Sequence, residues 1–237
     1  MQPGAQASRA KVNQNLCFQP DPTGVTLPPV NSPGDSFAWP FQDPGWFGKM
    51  VVQGLIYIIP IVGPIAMYGW LLMTIDNYRA GRRELPPAGF HLSRGIALFV
   101  VYLVYAIVIE IPGGVLIGIG GGNHSSGLLA LGYLIDTVLG LLLAFLLPAI
   151  ILSTYRAGFG GGFDVGGVWA MATRNPGTTV VAALLSIVAG LISGLGIILC
   201  LVGLLFTIPY GQAIIAGIVT WYERQLTGPA PMPAQPA

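Results

Sequence analysis

Two acidic residues lie inside long apolar stretches of the sequence, Glu110 in IVIEIPGG and Asp136 in YLIDTVLG. Each is about nine residues from the polar segment GGGNHSSG, or about 13 Å along an α-helix. A carboxylate at that depth in a membrane is costly and by default indicates a functional site, here one for a proton or a cation. The favoured alternative is packing, with one or both carboxyl groups protonated or bonded to a neighbour such as Tyr133 or Thr137.

Other residues that could do chemistry are sparse. The only histidines, His91 and His124, are predicted on opposite sides of the membrane, so they cannot share a metal ion. Cys17 and Cys200 form no disulfide framework. The sequence has no Ser/His/Asp set, P-loop or HExxH motif, and GIGGGN lacks the lysine of a P-loop. We therefore expect no catalytic residues, no cofactor and no metal site, and hence no enzyme.

The composition is that of a membrane protein. The chain has 237 residues, of which 54% are hydrophobic and 8% charged, and its mean hydropathy is +0.73. A soluble domain carries about a quarter charged residues, so these charges cannot cover a water-facing surface. A net charge of +1 also argues against nucleic acid as a partner, since that would need a basic surface. The partner that the composition implies is the lipid bilayer.

Five apolar stretches are long enough to be membrane segments, since a crossing takes about 20 residues. The sequence predicts an all-α polytopic membrane protein with these segments: 50–75, 95–119, 127–152, 178–199 and 200–222. The border between the last two is arbitrary, because 178–222 is nearly continuous. The first contains Pro60 and Pro64, which interrupt a helix. It is either a kinked crossing or a re-entrant hairpin.

The tetrapeptide YRAG ends two of these segments, at 78–81 and 155–158, and a third ends in TWYERQ. Tyrosine followed by arginine is typical of the membrane boundary, where aromatic rings favour the headgroup layer. We predict that the interfacial anchors are Trp39, Trp46, Tyr78, Tyr155, Trp169 and Tyr222. The three segment ends would then lie on one side, and whether YRAG marks an internal duplication or a chance identity stays open.

Arginine is concentrated on the side that carries the YRAG ends. The connections on that side and the C-terminal end contain Arg79, Arg82, Arg83, Arg94, Arg156, Arg174 and Arg224, whereas GGGNHSSG has neither Lys nor Arg. The positive-inside rule makes this side, and the C-terminus, cytoplasmic. Arg79, Arg82 and Arg83 would contact anionic lipid or merely fix the topology. Five straight crossings put Lys49 outside, whereas a re-entrant first segment puts it inside, so the N-terminal side stays open.

Short interfacial helices are expected in the cytoplasmic connections. In FDVGGVWAMATRNPG, Val165, Val168, Trp169 and Ala172 share one helical face, after Asp164 as N-cap. The stretch 85–94 occupies the equivalent place after the first YRAG. The pairs Gly114/Gly118 and Gly190/Gly194 would let helices approach closely, within the chain or, as a second choice, between copies.

The quoted segments resemble a known family. WPFQDPGWFGKM, IPIVGPIAMYGWLL, NYRAGRRELPP and FDVGGVWAMATRNPG, in this order, are similar to the family catalogued as domain of unknown function 4013, over roughly 38–225. The resemblance implies a polytopic protein of a bacterial or archaeal inner membrane without an established activity. The long Pro-rich tail departs from the family pattern. We expect tails at 1–36 and 226–237 around one membrane domain, 37–225.

These observations favour a non-catalytic accessory, scaffold or lipid-organising protein, with a membrane-protein partner or self-association. The competing hypothesis is a small transporter or channel that uses Glu110 and Asp136.

Overall fold

The computed structural model describes residues 32–82, 84–196 and 200–227; Arg83 and most of both predicted tails lie outside these ranges. The described residues contain no strand. A 3₁₀ turn, Trp39–Gln42, follows the first helix. The α-helices are α1 (Asp35–Ala38), α2 (Trp46–Tyr57), α3 (Val62–Arg79), α4 (Leu92–Gly122), α5 (Ser126–Phe163), α6 (Val165–Arg174), α7 (Pro176–Leu195) and α8 (Cys200–Thr227).

Four of these helices are long and apolar enough to cross a membrane: α4, α5, α7 and, from Gly203, α8. They correspond to the last four predicted segments. The predicted class, an all-α polytopic membrane protein, is confirmed. The count is four helices and one broken segment, because the first predicted segment is not a continuous helix.

That first segment is interrupted at Pro60, as predicted. Proline has no N–H to donate, and its ring collides with the carbonyl four residues earlier, so α2 ends at Tyr57. Ile61, which follows Pro60, has a φ of 65°, and α3 begins at Val62. Such a φ is uncommon for a β-branched residue and marks a sharp change of chain direction.

Three contacts join the beginning of this segment to residues beyond its end. The ring of Trp39 lies 4.3 Å from that of Tyr78. Lys49 Nζ donates to the carbonyl of Leu85 at 2.8 Å. Gln53 accepts from the amide of Gly89 at 3.0 Å. The chain therefore enters and leaves the α2–α3 hairpin on one side, which supports the re-entrant alternative and places Lys49 with the arginines.

The last helix, α8, is the centre of the bundle. Of its most apolar stretch, 61% is buried, against 17% in α4. Its buried residues lie all round the helix, for example Ala213, Ile214, Ile218 and Val219. A helix that is apolar on every face is typically surrounded by others, and α8 contacts α2, α3, α5 and α7.

Close helix contacts depend on other glycines than those of the predicted GxxxG pairs. A Cβ atom at Gly54 would overlap the backbone of Leu205, and one at Gly95 would overlap the carbonyl oxygen of Ile65. By contrast, no atom lies within 4 Å of a Cβ built at Gly114, Gly118, Gly190 or Gly194. The favoured prediction, that both pairs form close helix contacts within the chain, is therefore wrong, because these glycines face outward.

The outer parts of α4 and α5, residues 102–145, form a two-helix arm. Its only buried positions are glycines, namely Gly113, Gly120 and Gly132. These glycines let the two backbones touch, while large apolar side chains such as Val108 and Leu134 are exposed. No apolar side chain of the α4–α5 arm is fully buried, and the arm presents an apolar surface to its surroundings.

The short helix α6 has the predicted bounds and cap. The carboxylate of Asp164 accepts from the amide of Gly167 at 2.9 Å. Val168 and Ala172 are buried against the bundle, whereas Val165 and Trp169 are 61% and 51% exposed. An apolar residue left exposed on a short surface helix fits the headgroup layer. The stretch before α4 is not helical and folds back along α2 and α3.

Candidate functional site

Both YRAG motifs end a helix with glycine. Gly81 has a φ of 70°, its amide bonds to the carbonyl of Tyr78, and the amide of Arg82 bonds to that of Asn77. This is a Schellman motif, which favours glycine because a left-handed conformation strains other residues. Gly158 has a φ of 59° and a ψ of −141°, a conformation nearly confined to glycine. Together with the non-helical Ala157 it breaks α5, so the long part of that helix ends at Arg156 and the chain changes direction before it continues to Phe163.

The fold brings the two motifs into contact. The hydroxyl of Tyr155, from the second motif, donates to Asp76 Oδ1 at 2.5 Å. The guanidinium carbon of Arg79, from the first motif, lies 5.0 Å from the centre of the Tyr155 ring. Arg94, two residues into α4, forms an ion pair with the other oxygen of Asp76. The ends of α3 and α5 are thus joined to the start of α4.

A single carboxylate connects both motif arginines to the central helix. Glu223 Oε1 accepts from Arg79 at 3.1 Å and from Arg156 at 2.8 Å through Nη2, and Arg156 Nε also donates at 3.2 Å. The Glu223 side chain is only 9% exposed, while those of Arg79 and Arg156 are 40% and 42% exposed. We call Asp76, Arg79, Tyr155, Arg156 and Glu223 the charged cluster.

A cleft of about 200 Å³ opens beside the charged cluster. It lies between the end of α3 and the last two turns of α8. The residues that line it are Arg79, Thr220, Glu223, Arg224 and Thr227.

Asp43 forms a second ionic contact on this side. Its Oδ2 accepts from Lys49 Nζ at 2.7 Å and from the amide of Leu85 at 2.8 Å, and Oδ1 accepts from the amide of Gly45 at 2.7 Å. Burial alone would raise the pKa of Asp43, but these hydrogen bonds and the charge of Lys49 outweigh burial, so the pKa is lowered. The ionised carboxylate therefore stabilises the α2–α3 hairpin.

The two intramembrane acids both lie in the α4–α5 arm. Glu110 is exposed on the arm surface, and Asp136 is half-buried between the helices. Asp136 lies directly against Gly113, one helical turn from Glu110. Its Oδ1 has no hydrogen-bond partner among the described residues. Thr137 donates instead to the carbonyl of Tyr133, so neither predicted neighbour bonds to Asp136.

The predicted interfacial anchors separate into two groups. Tyr78, Tyr222 and Trp39 are buried, so they cannot reach headgroups and their predicted role is corrected. Tyr78 packs on Trp39, the hydroxyl of Tyr222 donates to the carbonyl of Met171, and Trp39 donates to that of Arg82. These rings join helix ends inside the protein.

The other three predicted anchors are at least partly exposed at the protein surface. Trp169 is exposed, Trp46 is half-buried, with its ring 5.4 Å from that of Phe206, and Tyr155 is half-buried in the charged cluster. Only Trp169 and Trp46 have geometry suited to the headgroup layer.

The remaining predicted residues are dispersed. Arg82 is exposed, and Arg83 lies outside the described residues. His91 and His124 flank α4, whose length at 1.5 Å per residue separates them by about 46 Å. In the described ranges no group of three or more His, Cys, Asp or Glu side chains could hold a metal ion.

Sequence reasoning missed Asp76 and Glu223, the acids of the charged cluster. A signal was present, since each lies within two residues of a boundary tyrosine, in IDNYRAG and TWYERQ. An acidic residue beside a tyrosine–arginine pair is close to an arginine with which it can form an ion pair. Which arginine it meets depends on helix packing, which the sequence pattern does not give.

Fold and site together define the class: a polytopic helical membrane protein whose helix ends converge on a charged cluster. The model of the family described as protein of unknown function, DUF4013, matches residues 52–202. The chain therefore belongs to this family, and the match lies within the region that carried the resemblance. Comparisons with curated proteins and with solved structures found no match.

Proposed function

We propose that the protein is a non-catalytic accessory or scaffold component of a bacterial or archaeal inner membrane, with its C-terminus in the cytoplasm. The observation that carries this proposal is the α4–α5 arm. In its residues 102–145 every buried position is a glycine, and many of its large apolar side chains, such as Val108 and Leu134, are exposed. Such a surface suits contacts with another membrane protein, made by packing of apolar side chains.

The charged cluster supports the same proposal. Arg79 and Arg156 both bond to Glu223, and Arg94 pairs with Asp76, so these charges hold helix ends together. These bonds serve the architecture, whereas the arm presents exposed apolar side chains to a partner.

The test is site-specific photo-crosslinking in the host membrane. A photoreactive residue at Val108 or Leu134, both exposed on the arm, should yield a reproducible protein adduct. The matched control is Leu191, which is 66% exposed on α7 and lies outside the arm. An adduct with a protein from the arm but not from Leu191 supports the proposal. Lipid adducts alone, equal at all three positions, would contradict it.

Native mass spectrometry of the gently extracted protein gives an independent outcome. A stable complex with a distinct protein supports an accessory role. A complex of identical copies would instead assign the arm to self-association, whereas a single chain carrying only lipid would contradict the proposal.

A second candidate is a small transporter or channel, for which Asp136 is the specific observation. Its Oδ1 is buried between α4 and α5 without a described partner, one turn from Glu110. An unpaired carboxyl in a membrane is suited to bind a proton or a cation. Under this proposal Asp136→Asn and Glu110→Gln abolish flux in proteoliposomes at unchanged protein level.

The control for that experiment is Thr137→Val, which removes a polar group beside Asp136 without removing a titratable one. Flux that persists in both acid variants would eliminate the transport proposal. Loss of flux in Thr137→Val as well would assign the effect to packing.

A further inference from the structure

One face of α4, within the α4–α5 arm, combines a carboxyl group with open glycines. At 3.6 residues per turn its members lie within about 80° of one another around the helix axis. All of them are exposed, and the face points about 110° away from Gly113 and Gly120, through which α4 contacts α5. We call it the Glu110 face; it consists of Leu103, Ile107, Glu110, Gly114, Gly118 and Gly121.

The glycines of the Glu110 face leave a shallow groove that no described residue fills. A Cβ atom built at Gly114, Gly118 or Gly121 would have no atom within 4 Å. Gly114 and Gly118 have the four-residue spacing that lets the backbones of two membrane helices approach closely. Small residues alone do not distinguish a helix from a lipid chain, so the occupant of the groove is decided by the polar residue beside it.

Glu110 is that polar residue, and it lacks a partner of its own. Among the residues that the structure describes it forms no hydrogen bond and no ion pair. It is exposed between Ile107 and Ile111, which are themselves 50% and 55% exposed. A carboxyl group that faces lipid without a hydrogen-bond partner is costly. Whatever covers the Glu110 face must therefore satisfy this carboxyl as well as fill the groove, and a lipid chain cannot do so.

A second copy of the chain meets both requirements. Copies inserted in the same direction carry Glu110 at the same depth, so a two-fold contact between parallel α4 helices places the two carboxyl groups opposite each other. A protonated carboxyl has one donor and one acceptor, so two of them can exchange two hydrogen bonds. Between Arg94 and Arg156 the sequence has no Lys or Arg. A second α4–α5 arm therefore offers Glu110 a carboxyl partner and no cation.

We propose that two copies of this chain pair through the Glu110 face, glycine against glycine, with the two Glu110 carboxyl groups hydrogen-bonded to each other. The inference goes beyond the accessory role, because this face lies about 120° around α4 from Val108. A dimer of this kind leaves Val108 and the α5 side of the arm accessible to a different protein. In the dimer Glu110 is a structural contact, whereas the transport proposal uses it to bind a proton or a cation.

The first test is disulfide cross-linking in the host membrane. It uses the full chain with Cys17→Ser and Cys200→Ser, so that a single introduced cysteine remains. A disulfide requires Cα atoms within about 7 Å, so Ile107→Cys on the Glu110 face should cross-link two copies on mild oxidation. The matched control is Val108→Cys, which is 62% exposed but points about 100° away and should stay monomeric.

The second test measures the association of purified chains in phosphatidylcholine vesicles, by energy transfer between donor and acceptor dyes at the C-terminus. Gly114→Leu fills the groove, so the apparent dissociation constant should rise about tenfold or more. Leucine is used because small-residue contacts tolerate alanine. The matched control is Gly190→Leu, which should leave association unchanged. Gly190 is exposed on α7, and a Cβ there meets no atom within 4 Å, but α7 contains no acidic residue.

Two variants of Glu110 test the carboxyl pair. Glu110→Leu keeps a large side chain but removes the hydrogen bonds, which should weaken association about threefold to thirtyfold. Glu110→Gln should retain association, because an amide also has a donor and an acceptor. Since Glu110→Gln abolishes flux under the transport proposal, the two roles of Glu110 give opposite results in this variant.

The dimer would be overturned by equal cross-linking of Ile107→Cys and Val108→Cys, or by purified chains that remain single at every protein-to-lipid ratio. An equal loss of association in Gly114→Leu and Gly190→Leu would exclude the Glu110 face. Unchanged association of Glu110→Leu would exclude the carboxyl pair and with it the choice of a second copy.

The accessory role is judged separately, because the vesicles contain only this chain. An adduct of Val108 with a distinct protein in the host membrane supports that role whether or not copies pair. If purified chains stay single while Ile107→Cys cross-links to a host protein, the Glu110 face belongs to that protein and the dimer is overturned.

Discussion

Arg79 and Arg156, which occupy the same place in the two YRAG motifs, donate to the same oxygen of Glu223 at 3.1 and 2.8 Å. One carboxylate of the central helix thus joins the ends of α3 and α5. The two motifs are far apart in the sequence, yet the fold places them next to each other. Their identity therefore has a structural use, whether or not the chain arose by duplication.

Glu223→Gln should lower the free energy of unfolding. The change leaves two guanidinium groups facing each other without a carboxylate. Loss of one partner of a buried ion pair costs about 3–5 kcal/mol. Because both arginine side chains are about 40% exposed to solvent, which screens them, we expect about 1–3 kcal/mol. Thermal unfolding in detergent, followed by circular dichroism, measures the difference.

The control for Glu223→Gln is Glu84→Gln, which removes the same charge from an exposed side chain. Its unfolding midpoint should match that of the wild type. A midpoint of Glu223→Gln equal to that of the control would mean that the charged cluster contributes nothing to stability.

The glycines of both YRAG motifs should resist substitution. A Cβ at Gly81 or Gly158 meets no atom within 4 Å, so Gly81→Ala and Gly158→Ala test backbone strain without a clash. We expect losses of about 1–3 kcal/mol from the positive φ values. Gly160→Ala also meets no atom but has no positive φ, and should be neutral or stabilising. Equal unfolding midpoints in all three variants would refute the strain argument.

Composition and pattern predicted the class of fold because apolar runs of about 20 residues have few other uses. The break at Pro60 was also predictable, since it follows from the missing N–H of proline. Asp164 and the amphipathic helix after it followed from local chemistry. Each of these features depends on residues close together in the chain.

The site could not be predicted to the same extent, because its contacts join distant residues. Glu223 meets Arg79 and Arg156 only after α8 has packed between α3 and α5. The anchor role failed for Tyr78 and Tyr222 for the same reason, since sequence gives the depth of a residue in the membrane but not the direction it faces. The predicted contacts of the GxxxG pairs within the chain were wrong for the same reason, because spacing does not indicate which helix face packs against a neighbouring helix.

Gly95→Ala should disrupt the contact between α3 and α4. The added Cβ would overlap the carbonyl oxygen of Ile65 and approach the amide nitrogen of Gly69 at 2.5 Å. Backbone atoms cannot move aside as a side chain can, so we expect a loss of about 3 kcal/mol or more. Gly114→Ala, on the same helix but without a neighbour, should not destabilise the protein. Comparable unfolding midpoints of the two variants would contradict the close approach.

The ionic contact of Asp43 should make stability depend on pH. Its pKa is lower in the folded protein than the ordinary value of 3.8, so its stabilisation is present above about pH 4. That stabilisation is lost as the pH falls through the folded pKa, where the carboxylate becomes protonated in both states. Asp43→Asn should therefore unfold at a lower temperature than the wild type at pH 7, and the gap should narrow towards pH 3. Glu84→Gln, which alters an exposed carboxylate, should show no such gap at pH 7. A gap between Asp43→Asn and the wild type that stayed constant from pH 7 to pH 3 would mean that Asp43 stabilises the hairpin without its charge.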